Sequence, residues 1–242
     1  MTVRCSHQPL LKLSPETGPE SHKIWTVHWL EASGSLNAHR APIMDALHAA
    51  YTALSHHVQL PEIDVLIQRA EGRTIPEFGL SGRAYRANLF ALSVDPDNPN
   101  FAKSLLDGTL TRQIIHEAHH CFRMAGPGYG RTLGEALVSE GLAGRFVQHV
   151  LHSQPEPWEA ALPVSDLKTF GVQASTLSKT QYDHARWFFG RGPLPRWFGY
   201  TLGYEIVGDW LLNTHPEAVD WINIPADIPL AAAITSGLIG PE

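Results

Sequence analysis

The sequence predicts an α+β fold, with a small mixed sheet in the amino-terminal half and a mainly helical carboxy-terminal half. Three observations carry this. Apolar residues alternate at 24–30, 63–68 and 84–94; they recur at helical spacing from Thr109 onward; and no strand-like run is evident after Pro155.

Residues 1–22 are polar and contain proline, glycine and serine, the composition of a loose leader. Ile24–Leu30 alternates as a half-buried strand does. From Ala38 to His57, Ile43, Leu47, Ala50 and Leu54 mark a helix that Pro61 closes off, and Ile63–Gln68 reads as a second strand. Glu77–Arg83 has turn chemistry, and its glycines 79 and 82 make it a candidate lid or a simple turn. Ala84–Val94 then reads as one strand, stopped by Asp95-Pro96, with an edge or an internal position equally open to it.

Asp107-Gly108 can cap a helix over Thr109–Met124, which the Gly126–Gly130 turn closes. A further helix follows over Leu133–His152, and Thr132-Leu-Gly-Glu135 has the form of a capping box at its start. Beyond Pro155 more helices are expected, broken at Gly190–Pro195 and around Pro216 and rich in Trp and Phe. With no internal repeat, the chain reads as a single domain over 1–242. Its parts are the leader 1–22, an α/β half over 23–125 and a helical half over 131–242.

Composition excludes several classes of function. A net charge of −6 and the absence of a Lys/Arg cluster argue against nucleic acid as a partner. No apolar run approaches the roughly 18 residues of a membrane span, and Leu10-Leu11-Lys12-Leu13 is too short for a secretory signal, so a cytoplasmic location is expected. Cys5 and Cys121 have no spacing that suggests a disulfide framework, and reduced thiols are expected. Fourteen histidines are many, yet most lie singly, and one cluster alone is arranged to bind something.

That cluster is His116-Glu117-Ala118-His119-His120. At about 100° per residue, the imidazoles of His116 and His120 fall within about 40° of each other on a helix, so two metal ligands converge. Glu117 lies on the next face, where a carboxylate can take a proton from a zinc-bound water. A catalytic zinc site needs a third protein ligand and one open position. A metzincin would place glycine and histidine where this chain has Arg123 and Gly126, which excludes that subclass. The next helix offers Glu140, 24 residues after His116 and far enough along for an antiparallel return. His119 lies about 100° away from His120, a placement that suits packing better than ligation.

Three segments together, His116–His120, Thr132–Ala143 and Gly199–Tyr204, resemble the Glu-zincin metallopeptidases. Within them they resemble a bacterial family of predicted zinc-dependent proteases in a domain of unknown function. The resemblance implies a zincin-like fold with an edge strand beside the His116–His120 helix. It also implies Zn2+ on His116, His120 and Glu140, Glu117 as general base, and a peptide or protein substrate. The separation of His116 and Glu140 is the one seen in thermolysin-like members. Those members carry a carboxylate four residues after the third ligand, where this chain has Gly144, so the carboxylate that orients a zinc histidine must come from elsewhere. Asp183 and Glu135 are candidates, although the capping box is the stronger account of Glu135. Tyr200 and Tyr204, one helical turn apart, are candidates for donating to an oxyanion, with His184 as a competitor. Two other functions stay open: a zinc hydrolase of a small amide, and a non-catalytic zinc-binding protein.

Overall fold

In the computed structural model, which describes residues 24–241, the alternating segments pair into a four-stranded sheet of order β1-β2-β4-β3. The leader, Cys5 and Leu10–Leu13 lie outside the described residues. β1 (Thr26–Leu30) runs parallel to β2 (Asp64–Arg69), with Thr26 opposite Asp64, and α1 (Arg40–Ser55) makes the crossover that parallel strands require. β2 runs parallel to β4 (Leu89–Val94), and β3 (Leu80–Arg86) pairs antiparallel with β4, Leu80 opposite Val94. The sheet is therefore mixed.

Residues 84–94 form two strands where the sequence reads as one. Ala87 and Asn88 make a tight turn, and the apolar alternation on either side of it continues without a break, which hides the hairpin. The internal strand is β4, whose Phe90, Ala91, Leu92 and Val94 are buried, as suits a strand covered on both faces. The edge strand is β3, whose pairing with β4 shifts register between Ala84 and Arg86. The turn read over 77–83 is shorter than its chemistry suggests. Only 76–79 turn, with Gly79 at φ +65°, and residues 80–83 belong to β3.

α1 buries the stripe Ile43, Ala46, Leu47, Ala50 and Leu54 against the sheet and α3 (Thr109–Met124). α3 follows a short helix, α2 (Phe101–Leu106), and is buried nearly all round, between α1, β3 and α4 (Leu133–Leu151). The capping box of α4 is present with both of its hydrogen bonds, which fixes where α4 begins after the 125–132 turn. The helical half continues as α5 (Val164–Thr169), α6 (Ala174–Leu177), α7 (His184–Phe189), α8 (Phe198–Thr214), α9 (Ala218–Asn223) and α10 (Asp227–Thr235). Among the described residues, no helix is long and apolar enough to cross a membrane.

α4 and α8 cross backbone to backbone. A Cβ at Gly203 would lie 2.1 Å from the Leu137 carbonyl oxygen, and one at Gly141 would lie 2.0 Å from the Gly203 carbonyl oxygen. Neither atom is the free end of a side chain, so neither can move aside. Buried Arg123 ties α9 to α3, its Nη1 donating to the carbonyls of Ile222 and Ile224 at 3.0 and 2.9 Å. Gly203→Ala is expected to destabilise the chain by about 1–3 kcal/mol, the usual cost of overpacking a close contact. Chemical denaturation would measure this, and an unchanged midpoint would refute the backbone crossing.

Candidate metal centre

α3 carries His116 and His120 one turn apart, and its burial turns both rings toward α4. Their Nε2 atoms lie 3.0 Å apart, and the Glu140 Oε2 lies 3.1 Å from His116 Nε2 and 3.4 Å from His120 Nε2. Three atoms with this spacing form one face of a small polyhedron. Ligands bound at about 2.0–2.1 Å in a tetrahedron are separated by about 3.3 Å. Among the described residues this is the one cluster of histidine, cysteine and acidic side chains whose ligand atoms meet so closely. The donor set fits Zn2+.

All three side chains are buried, and their charges are mutually adjusted. Burial pulls the His116 imidazolium down, but the hydrogen bond and charge of Glu140 outweigh it and raise the group to about 9. Burial pushes the Glu140 carboxyl up, yet the charge of His120 and the hydrogen bonds from both rings hold it well below the usual range. Tyr129, from the turn between α3 and α4, donates its hydroxyl to Glu140 Oε1 at 2.6 Å, leaving Oε2 to face the rings. Burial and the charge of Glu140 raise the Tyr129 phenol well above its ordinary value, so it stays a donor. No sequence motif marks Tyr129. Its only signal is an aromatic residue in the Gly126–Gly130 turn.

Glu117 lies beside the triad, its Oε1 accepting from Gln113 Nε2 at 2.8 Å. Burial raises its carboxyl, against the opposing pull of His120 and His116. Gly82 of β3 makes room for it: a Cβ there would lie 2.4 Å from the Glu117 Cγ and Oε1. Close approach, not turning, is what this glycine serves.

A cleft of about 720 Å³ opens over the centre. Its lining includes His116, His120, Glu117 and Glu140, the Ser81–Ala84 segment of β3, Tyr129 and Tyr200. Gly82 and Ala84 occupy the same alternate positions as Leu80, whose carbonyl accepts from Ile75 on the side away from β4. Their N–H and C=O groups therefore point outward too, toward the cleft. Tyr200 is raised well above the ordinary phenol value by burial and by the charges of Glu140 and Glu117. His184 is also on the cleft wall, stacked 4.3 Å from Phe188.

The remaining sequence candidates lie elsewhere. Tyr204 does not line the cleft; its hydroxyl donates to Gln148 and its ring lies under Arg145 at 3.5 Å, because α8 turns that position onto α4. Glu135 serves the capping box, and Asp183 caps α7 by accepting from the Arg186 N–H, so neither orients a histidine of the centre. The His120 Nδ1 instead faces Ser139 Oγ at 3.5 Å, a long contact. His119 is fully buried, packed 5.0 Å from Phe146 with no partner for either ring nitrogen among the described residues, and burial lowers it well below its ordinary value. The Cys121 thiol is buried and pushed up to about 12, which leaves it inert.

A family model described as "Predicted Zn-dependent protease (DUF2268)" matches residues 43–229. The chain is 26% identical over 185 residues to "Uncharacterized protein YjaZ" of Bacillus subtilis (strain 168), spanning 72% of this chain and 67% of that protein. No solved structure matches it.

The metal-free chain should show one imidazole that keeps its proton well above neutrality. A group whose pKa is raised on folding stabilises the fold below its unfolded value of about 6.5 and loses that contribution as pH rises to about 9. NMR titration of the histidine rings should find this resonance moving near 9, absent in His116→Asn. A His116 titrating near its ordinary value would mean that Glu140 does not face it.

Proposed function

The chain belongs to this family of predicted Zn-dependent proteases, and on that premise we propose that it is a zinc-dependent peptidase with a single zincin-like domain. The observation that carries the proposal is the triangle of two Nε2 atoms and one carboxylate oxygen, 3.0–3.4 Å on a side, beside a separately held carboxylate and open to a cleft. His116, His120 and Glu140 are the proposed ligands. Zinc bound there would supply Lewis-acid polarisation of a carbonyl and a water acidified toward neutrality.

The protein's own groups then have distinct tasks. Glu117 takes the proton from the attacking water and passes it to the departing amine; its raised carboxyl and its place one residue from a ligand suit both transfers. Gln113 holds the Glu117 carboxylate in one orientation. Tyr200, a phenol that lines the cleft, donates to the oxyanion of the tetrahedral intermediate in this reading. Tyr129 and the pairing with His116 keep Glu140 ionised and single-faced.

The cleft favours a peptide over a small amide. Its wall is an edge strand whose Gly82 and Ala84 present free backbone groups, and an extended peptide can add there as a further strand. Such pairing reads the main chain and orients the scissile bond toward the centre.

Glu117→Gln should leave bound zinc at the wild-type level while lowering turnover of a broad peptide library by about 100-fold or more. His116→Ala and Glu140→Ala should lose the zinc itself, read by metal analysis of the purified proteins. Full activity in Glu117→Gln would remove Glu117 as base. Tyr129→Phe should weaken zinc binding by about tenfold, measured by chelator competition, because Glu140 loses the donor that fixes it.

A further inference from the structure

Arg123 carries a charge into the interior at 2% exposure, and nothing in the site above uses it. Both of its side-chain hydrogen bonds leave from Nη1, to the carbonyls of Ile222 and Ile224. Those acceptors tie α9 to α3 but bring no formal charge. Nε is buried with no acceptor among the described residues, and no described carboxylate forms an ion pair with the guanidinium. Burial pulls the group down to about 10, so it stays charged at neutral pH. A buried cation without a counter-charge is costly, and an unsatisfied N–H on it adds to the cost. An anionic ligand would offset both.

The guanidinium lines a pocket of about 460 Å³, distinct from the cleft over the metal centre and within the size range of small-molecule sites. The two share a wall. Pro127, Gly128 and Gly130 line this pocket, whereas Tyr129, between them, lines the cleft and donates to Glu140. Leu177, Leu230 and Ile234 give the pocket apolar sides. Two helices start at its border, α4 after Thr132 and α10 after Ala226, and the N-terminal end of a helix favours negative charge. Two carboxylates are also on the lining. Glu135 already accepts from the N–H groups of Arg131 and Thr132, and Asp227 is exposed on the first turn of α10, so neither neutralises Arg123. The pocket therefore combines apolar sides with one buried cationic donor.

We propose that this pocket is a second ligand site, which takes a small carboxylate with an apolar chain. The carboxylate pairs with Arg123 along its Nε side, the edge that the protein leaves without an acceptor, and the chain packs against Leu177, Leu230 and Ile234. Nη1 keeps its two carbonyls, so binding breaks no contact of the fold. The site stands independently of the chemistry assigned to the metal centre.

Isothermal titration of the full chain with 3-methylbutanoate tests this, with 3-methylbutanamide as a neutral control of the same shape. The carboxylate should saturate a single site, and the amide should bind about tenfold more weakly or worse, the usual worth of a hydrogen bond to a charged group. Arg123→Met should weaken the carboxylate by a similar factor. Ser178→Trp, at an exposed position on the lining, should block both compounds while Arg123 stays in place, so the test survives if Arg123→Met does not fold. His116→Ala controls for a carboxylate that binds at the metal, and it should bind 3-methylbutanoate as wild type does. Equal affinities for acid and amide, or no saturable binding by the wild-type chain, would overturn the proposal. Binding that survives Ser178→Trp would overturn it as well, and its loss in His116→Ala would assign it to the metal centre instead.

Discussion

A carboxylate at 8% exposure must be met by positive charge or by donors, and Glu140 is met from both sides. Two imidazoles face one oxygen and the Tyr129 hydroxyl faces the other. Everything else around the site serves to bring these groups within about 3 Å of each other. α3 must present His116 and His120 on one face, the 125–132 turn must reverse the chain and deliver Tyr129, and α4 must return with the right rotation. The capping box of Thr132 and Glu135 sets the start of α4, and the start of a helix sets the face on which each later residue falls.

Depth matters as much as rotation. Gly141 lets α8 approach the α4 backbone immediately beside Glu140, so a larger residue there would push α8 away from the helix that carries the ligand. Gly82 does the same on the opposite side, admitting the Glu117 carboxylate against β3. Gly144 leaves space for Glu159. In each case a missing side chain is what allows a functional or structural group to occupy the space, and none of the three has a positive φ. Their common property is volume, not conformational freedom.

This arrangement joins the two halves of the chain. The sheet contributes an edge strand and the glycine that accommodates Glu117. The helical half contributes Glu140, Tyr200 and the turn that carries Trp158. The cleft is bounded by both.

Much of this was legible from the residues alone. Helical spacing located α3 to the residue and α4 to within one, because apolar residues recur at that spacing over four turns or more and a capping box marks the start of α4. The same spacing brought His116 and His120 together, and chain length allowed Glu140 to return to them. Other features depended on packing, which local pattern does not encode. The hairpin at 87–88 was concealed by alternation that runs straight through it. Gly82 looked like a turn because its partner, Glu117, lies on another element. Tyr204 shares a face with Tyr200 by periodicity, yet a helix wedged between a cleft and a neighbour presents nearby positions to different surroundings. Tyr129 and Ser139 approach the centre by routes that sequence spacing does not specify. The chain's own pattern determined which side chains could converge; the contacts between elements decided which of them did, because orientation within a few ångströms is set by what each helix and strand packs against.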